Sequence, residues 1–174
     1  MVTNVYWIAT NTPGKIGVMP RPRGGEQLDD ETRLLNIASV HTLVSLLTES
    51  ESFELELDLE AEECARHEIE FVHFPIRDRQ VPALDYATLS FLKTLVDQLS
   101  QGRNVVVHCR MGIGRSALIA AAVLVLNGAK PDEAFSAISK ARGCPVPDTE
   151  EQRRWISTFA QTHQNIQPIS DLWL

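Results

Sequence analysis

Apolar residues come in short runs punctuated by turn residues, and their spacing alternates between the period of a strand and that of a helix. Val5 to Thr10 and Ile16 to Met19 read as strands joined by the turn Asn11-Thr12-Pro13-Gly14. Asp29 to Ala38 reads as a helix and His41 to Leu47 as the next strand. Leu55 to His67 is expected to be a helix and Ile69 to Ile76 a strand. Over Asp85 to Gln101 the period is helical, with Leu89, Leu92, Leu95, Val96 and Leu99 on one side and Gly102 as the stop. Asp85 opens that helix, where its carboxylate accepts from first-turn N–H groups. Asn104 to His108 is a central strand, and Arg115 to Leu126 a helix apolar all round, which predicts burial. Pro131 to Arg142, ended by Gly143, and Asp148 to His163 complete the helices.

Strands alternating with helices predict an α/β fold: a mainly parallel central sheet with helices on both faces. Its functional site is then expected beyond the carboxyl ends of the strands. A chain of 174 residues, 44% of them hydrophobic, fills one core. One domain is expected over 1–163, with a tail over 164–174 that ends Leu172-Trp173-Leu174.

Charge and cysteine usage narrow the function classes. A net charge of −7 argues against nucleic acid and anionic membrane as partners. No apolar stretch approaches the length of a membrane span. Three cysteines, an odd number, do not make a disulfide framework. With no basic-then-apolar leader at the start, a cytoplasmic location is expected. Cys64 and Cys144 are read as packing residues, although either would be able to trap an oxidised Cys109. The carboxylates crowd into 49–70 beside a single arginine, Arg66. A solvated helix face is the ordinary reading of that run, and a docking surface for a basic partner the alternative. No cluster has metal-ligand spacing, so no metal or cofactor is expected.

The chemistry concentrates in Val105-Val106-Val107-His108-Cys109-Arg110-Met111-Gly112-Ile113-Gly114-Arg115-Ser116. A buried strand runs into a tight loop and then a buried helix, with a cysteine opening the loop and an arginine closing it. Such a loop wraps the amides of Arg110, Met111, Gly112, Ile113 and Gly114 around an oxyanion. A thiol with a pKa of about 8.5 is only slightly ionised at neutral pH. A helix N-terminus and inward amides favour the thiolate. Gly112 and Gly114 are expected to supply positive φ angles. Arg115 is expected to grip two phosphate oxygens with its planar fork. Ser116 is placed to hydrogen-bond Cys109 as a leaving group, and His108 to bond the backbone and support the loop from below.

The form His-Cys-x-x-Gly-x-x-Arg-Ser, with a second motif at Phe74-Pro75-Ile76-Arg77-Asp78-Arg79-Gln80-Val81-Pro82, resembles the protein tyrosine phosphatase superfamily. Within it the chain is similar to the small, atypical dual-specificity phosphatases of the kinase-associated phosphatase group. The resemblance covers roughly residues 30 to 160. It implies a phosphomonoesterase that works through a cysteinyl-phosphate on protein phosphotyrosine, with phosphoserine and phosphothreonine admitted by a shallow pocket. It makes Asp78, thirty-one residues before Cys109, the general acid. It also places Gln152, early in the last helix, near the active site. Chemistry asks for such an acid independently, since an alkoxide or phenoxide leaves poorly unless protonated. Asp85 competes for that role, but as a helix cap.

Two alternatives stay open on the residues. One is a phosphatase of phosphoinositides or other small phosphates, weakened because Arg110 is the single basic residue among the variable loop positions. The other is a non-catalytic phosphate-binding scaffold, weakened because the cysteine, the arginine and the aspartate are all present.

Overall fold

The computed structural model describes residues 4–164 of the chain. Among them, five strands form one sheet in the order β1-β2-β5-β3-β4. β1 (Tyr6–Ile8) runs antiparallel to β2 (Ile16–Pro20). β2, β5 (Val105–Cys109), β3 (Thr42–Ser45) and β4 (Glu70–His73) run parallel to one another. The mainly parallel sheet expected from the sequence is the one observed.

The period of two along each strand sorts its side chains between two cores. From β5, Val105, Val107 and Cys109 enter the larger core with Val18 and Val44. That core is covered by α4 (Tyr86–Ser100), α5 (Arg115–Leu126), α6 (Pro131–Arg142) and α7 (Glu150–Gln164). Val106 points the other way and packs with Met19 and Leu43. Leu35 of α1 (Leu28–Ile37) and Cys64 of α3 (Glu60–Arg66) close this second core. Helices therefore cover both faces. α5 is buried from Arg115 to Val125 along its whole circumference, as its unbroken apolar run requires.

Local chemistry sets the helix ends. Asp85 caps α4 by accepting from the Thr88 N–H at 2.9 Å. Pro131 begins α6, and Gly143 ends it in the left-handed region at φ 75°. The single helix expected over 55–67 does not form. Instead α2 (Glu49–Glu54) and α3 flank a break in which Glu56 adopts φ 56°. The break lets Leu57 turn inward onto Leu28 and Leu47, which a continuous helix would forbid. At the other end α7 runs to Gln164, one residue past the boundary expected for the domain; the remaining tail, 165–174, lies outside the described residues.

Candidate active site

The register of the sheet carries Cys109 to the end of β5, opposite Pro20 of β2. There the chain turns through residues 110–114 and enters α5 at Arg115. The N-cap of α5 is Gly114, which has no side chain to occupy the first-turn N–H groups. Those amides face the loop, where a partial positive charge and free donors suit an oxyanion. Cys109 is buried, its Sγ accepts from the Gly112 N–H at 3.3 Å, and Ser116 Oγ lies 3.4 Å away. Ser116 Oγ is thus within reach of a hydrogen bond with Cys109 Sγ.

The two glycines serve different purposes. Gly112 adopts φ 70°, and a Cβ there would meet the Met19 backbone at 2.5 Å. Gly114 does not take the expected positive φ; it sits at −88°. It is needed for space, because a Cβ would come within 2.3 Å of Asp148 Oδ2 and 3.2 Å of Gln152 Nε2. Arg142 of α6 holds the outer side of the loop. Its Nη2 donates to the Met111 carbonyl at 3.0 Å and its Nε to that of Gly112 at 3.2 Å, with its guanidinium over the Tyr6 ring. Carbonyls drawn outward leave the intervening amides facing in.

Arg115 departs from its expected posture. It is only 1% exposed, and its two Nη atoms bond Glu51 end-on at 2.8 and 2.9 Å. Nη1 also donates to the Ile76 carbonyl at 2.8 Å, and Nη2 lies 3.1 Å from Asp78 Oδ1. A buried cation needs such partners. Burial works against its charge, but the hydrogen bonds with Glu51 together with the charges of Cys109, Glu51 and Asp78 outweigh that and hold the guanidinium above its ordinary range. Burial likewise pushes the Glu51 carboxyl up; bonds from Arg115 and the Thr48 N–H, with the charge of Arg115, overcome this and hold it at about 2.

Asp78 stands on an exposed turn beyond β4, 61% accessible, and followed by Arg79 at φ 60°. The left-handed geometry of Arg79 is unusual for a bulky residue. Two residues of α7 secure the far side of this turn: Gln152 Nε2 reaches the Gln80 carbonyl at 3.5 Å and Trp155 Nε1 donates to that of Pro82 at 2.8 Å. Gln152 is fully buried between this turn and Gly114, so it is close to both loops. Asp85 stands at the start of the chain's next element, α4, engaged in capping, and its carboxyl is held below its ordinary value by the Thr88 N–H.

His108 does not make the backbone hydrogen bond expected of it. Strand alternation points it at α3, where Nε2 lies 3.0 Å from Glu60 Oε1, both residues buried. Neither ring nitrogen has a hydrogen-bond partner among the described residues. Arg110, expected to contribute to phosphate binding, turns its guanidinium to Glu54 at 3.0 Å, while Met111 is exposed. Ile113 is partly buried against the larger core.

Glu51, Glu54, Glu60, Arg142 and Asp148 were not read from the sequence as part of this site. Glu51 left one legible signal, the capping box Thr48-x-x-Glu51 that opens α2. The carboxylate-rich run is thus only in part a solvated face, since Glu51 and Glu60 turn inward beneath the loop. Cys64 lies in the other core, where burial and the charges of Glu60 and Glu63 push its thiol up to about 12. Such a thiol stays protonated and unreactive.

A family model described as a DSP-PTPase phosphatase of polymorphic toxin systems matches residues 17–129. The chain belongs to the DSP-PTPase phosphatase family. Cyclin-dependent kinase inhibitor 3 of Rattus norvegicus is 28% identical over 89 residues, 50% of this chain and 42% of that protein. The match therefore spans less than half of that relative's length. Among solved structures, kinase associated phosphatase with its catalytic-site cysteine changed to serine superposes with TM-score 0.84 at 19% identity, covering 93% of this chain and 96% of that one. PTPMT1 in complex with PI(5)P superposes with TM-score 0.73 at 20% identity, over 91% and 97% of the two chains. At these identities the likeness is one of fold, and it is the DSP-PTPase fold that brings the loop after β5 and the turn after β4 together.

Proposed function

We propose that this DSP-PTPase phosphatase is a cysteine-dependent phosphomonoesterase of phosphorylated protein, acting on phosphotyrosine and on phosphoserine or phosphothreonine. The observation that carries the reading is the convergence of Cys109, Arg115 and Asp78, with Asp78 Oδ1 3.1 Å from Arg115 Nη2. Since Glu51 takes the end-on face of the guanidinium, the phosphate binds the side edge formed by Nε and Nη2 and displaces Asp78 from it. Asp78 is thereby released toward the leaving group.

In the first step Cys109 Sγ attacks phosphorus, the ester P–O bond breaks, and protonated Asp78 gives its proton to the departing oxygen. In the second, the Asp78 carboxylate takes a proton from water, whose oxygen attacks the cysteinyl-phosphate. The S–P bond then breaks, with Ser116 donating to the departing thiolate. Inorganic phosphate leaves and Cys109 is restored.

A phosphoinositide reading has less support. The variable loop residue that would add positive charge, Arg110, is neutralised by Glu54, and the chain is acidic overall. Peptides carrying phosphotyrosine or phosphothreonine and vesicles carrying phosphoinositide, assayed with one preparation, test the proposal. Phosphate release from the peptides at higher kcat/KM supports it; faster release from the vesicles overturns it.

A further inference from the structure

Beside the site runs a groove of about 700 Å³ between the start of α1 and the break after α2. Six carboxylates line it, those of Glu26, Asp29, Glu54, Glu56, Asp58 and Glu63, with no lysine, arginine or histidine among the described lining residues. Asp29 is met by His67, Glu54 by Arg110 and Glu63 by Arg66, which leaves Glu26, Glu56 and Asp58 with no ion pair among the described residues. Phe53 stands at its wall 78% exposed, beside Leu59 at 51%. Phe53 and Leu59 together give the acidic groove an apolar edge.

Two further observations point to a cationic occupant. Glu63 is 93% buried; its Oε1 is held by Arg66 at 2.9 Å, but Oε2 is buried with no hydrogen-bond partner among the described residues. A buried acceptor left unmet is costly unless a donor arrives. The groove also adjoins the candidate active site, because Glu54 lines it while accepting from Arg110 of the loop after β5.

We propose that this groove docks a basic segment of the phosphoprotein substrate, with lysines or arginines against its carboxylates and an apolar side chain on Phe53 and Leu59. This deepens the phosphatase reading and rests on it. The site then has two polarities: Arg115 at the phosphate, carboxylates beside it. A phosphorylated residue flanked by cations matches both, and one flanked by acids is repelled by the groove.

Two phosphotyrosine peptides differing only in lysine or glutamate flanks test this, with para-nitrophenyl phosphate as the substrate that reports the chemistry alone. The native protein is expected to prefer the lysine peptide by about tenfold or more in kcat/KM, a preference that salt weakens. Glu26→Lys with Asp58→Lys should erase the preference, and Phe53→Ser should weaken it, while para-nitrophenyl phosphate turnover stays native. Equal use of the two peptides, or an equal effect of the substitutions on all three substrates, overturns the proposal while leaving the phosphatase reading intact. No turnover of any substrate instead defeats the phosphatase reading. In that case, binding of the fluorescent, unphosphorylated lysine peptide decides the groove: binding lost on charge reversal supports docking, and no binding rejects it.

Discussion

Glu51 and Arg115 are joined end-on at 2.8 and 2.9 Å although 64 positions separate them in the chain. The same Glu51 carboxylate accepts from the Thr48 N–H at 3.0 Å and so also caps α2. One side chain therefore ties the start of α2 to the arginine that opens α5. Glu51→Gln keeps the shape and removes the charge, and kcat/KM is expected to fall about 10²-fold, the scale of a misplaced catalytic group. Circular dichroism should remain native. Activity within twofold of native would show that Arg115 needs no carboxylate to hold it.

The same pair makes stability depend on acid. Glu51 is held at about 2 in the folded protein against an ordinary value of 4.5. A depressed carboxyl contributes stability above its unfolded value, which is lost as pH falls through 4.5 toward 2. Urea midpoints measured across that window should decline, and the decline should be shallower in Glu51→Gln.

Cys109→Ser is expected to abolish turnover while the melting temperature stays close to native, since an alcohol is a far weaker nucleophile than a thiolate. Vanadate should inhibit the native protein and EDTA should not. Loss of activity with EDTA would sink the metal-free mechanism.

Asp78→Asn should slow hydrolysis of ordinary phenyl and alkyl esters about 10²–10⁴-fold, the usual scale of acid catalysis. The loss should shrink for an aryl ester with an acidic leaving group, and the alkaline fall in rate should flatten. Asp85→Asn should leave kcat native and lower only the melting temperature, through the α4 cap. The reverse pattern would mean that the acid is misassigned.

Gly112→Ala and Gly114→Ala separate two kinds of constraint. At Gly112 a Cβ meets backbone and the residue holds φ 70°, so neither can relax cheaply and both activity and folding should suffer. At Gly114 the obstacle is the Asp148 side chain, which can swing aside, so the protein should fold with a partial loss of kcat/KM. A more active Gly112 variant would reverse this ordering.

Local structure is legible in the chain. The unbroken apolar run Val105-Val106-Val107 and the all-round apolar character of α5 placed Cys109 between a buried strand and a buried helix. Caps such as Asp85 and Gly143 marked where helices begin and end, and hydrogen bonding within a few residues suffices for those. The helix expected over 55–67 failed because the burial of Leu57 beside Leu28 and Leu47 outweighs helical propensity, and that is a long-range matter.

Tertiary structure alone decided which carboxylates serve the site. A run of Glu and Asp carries no mark of which side chain will meet a buried cation. Glu51 meets Arg115 and Glu60 meets His108 because β5, α2 and α3 converge behind the loop. A buried guanidinium or imidazole needs a polar partner only once packing has removed water from it, so the need arises in the fold and leaves no periodicity in the chain.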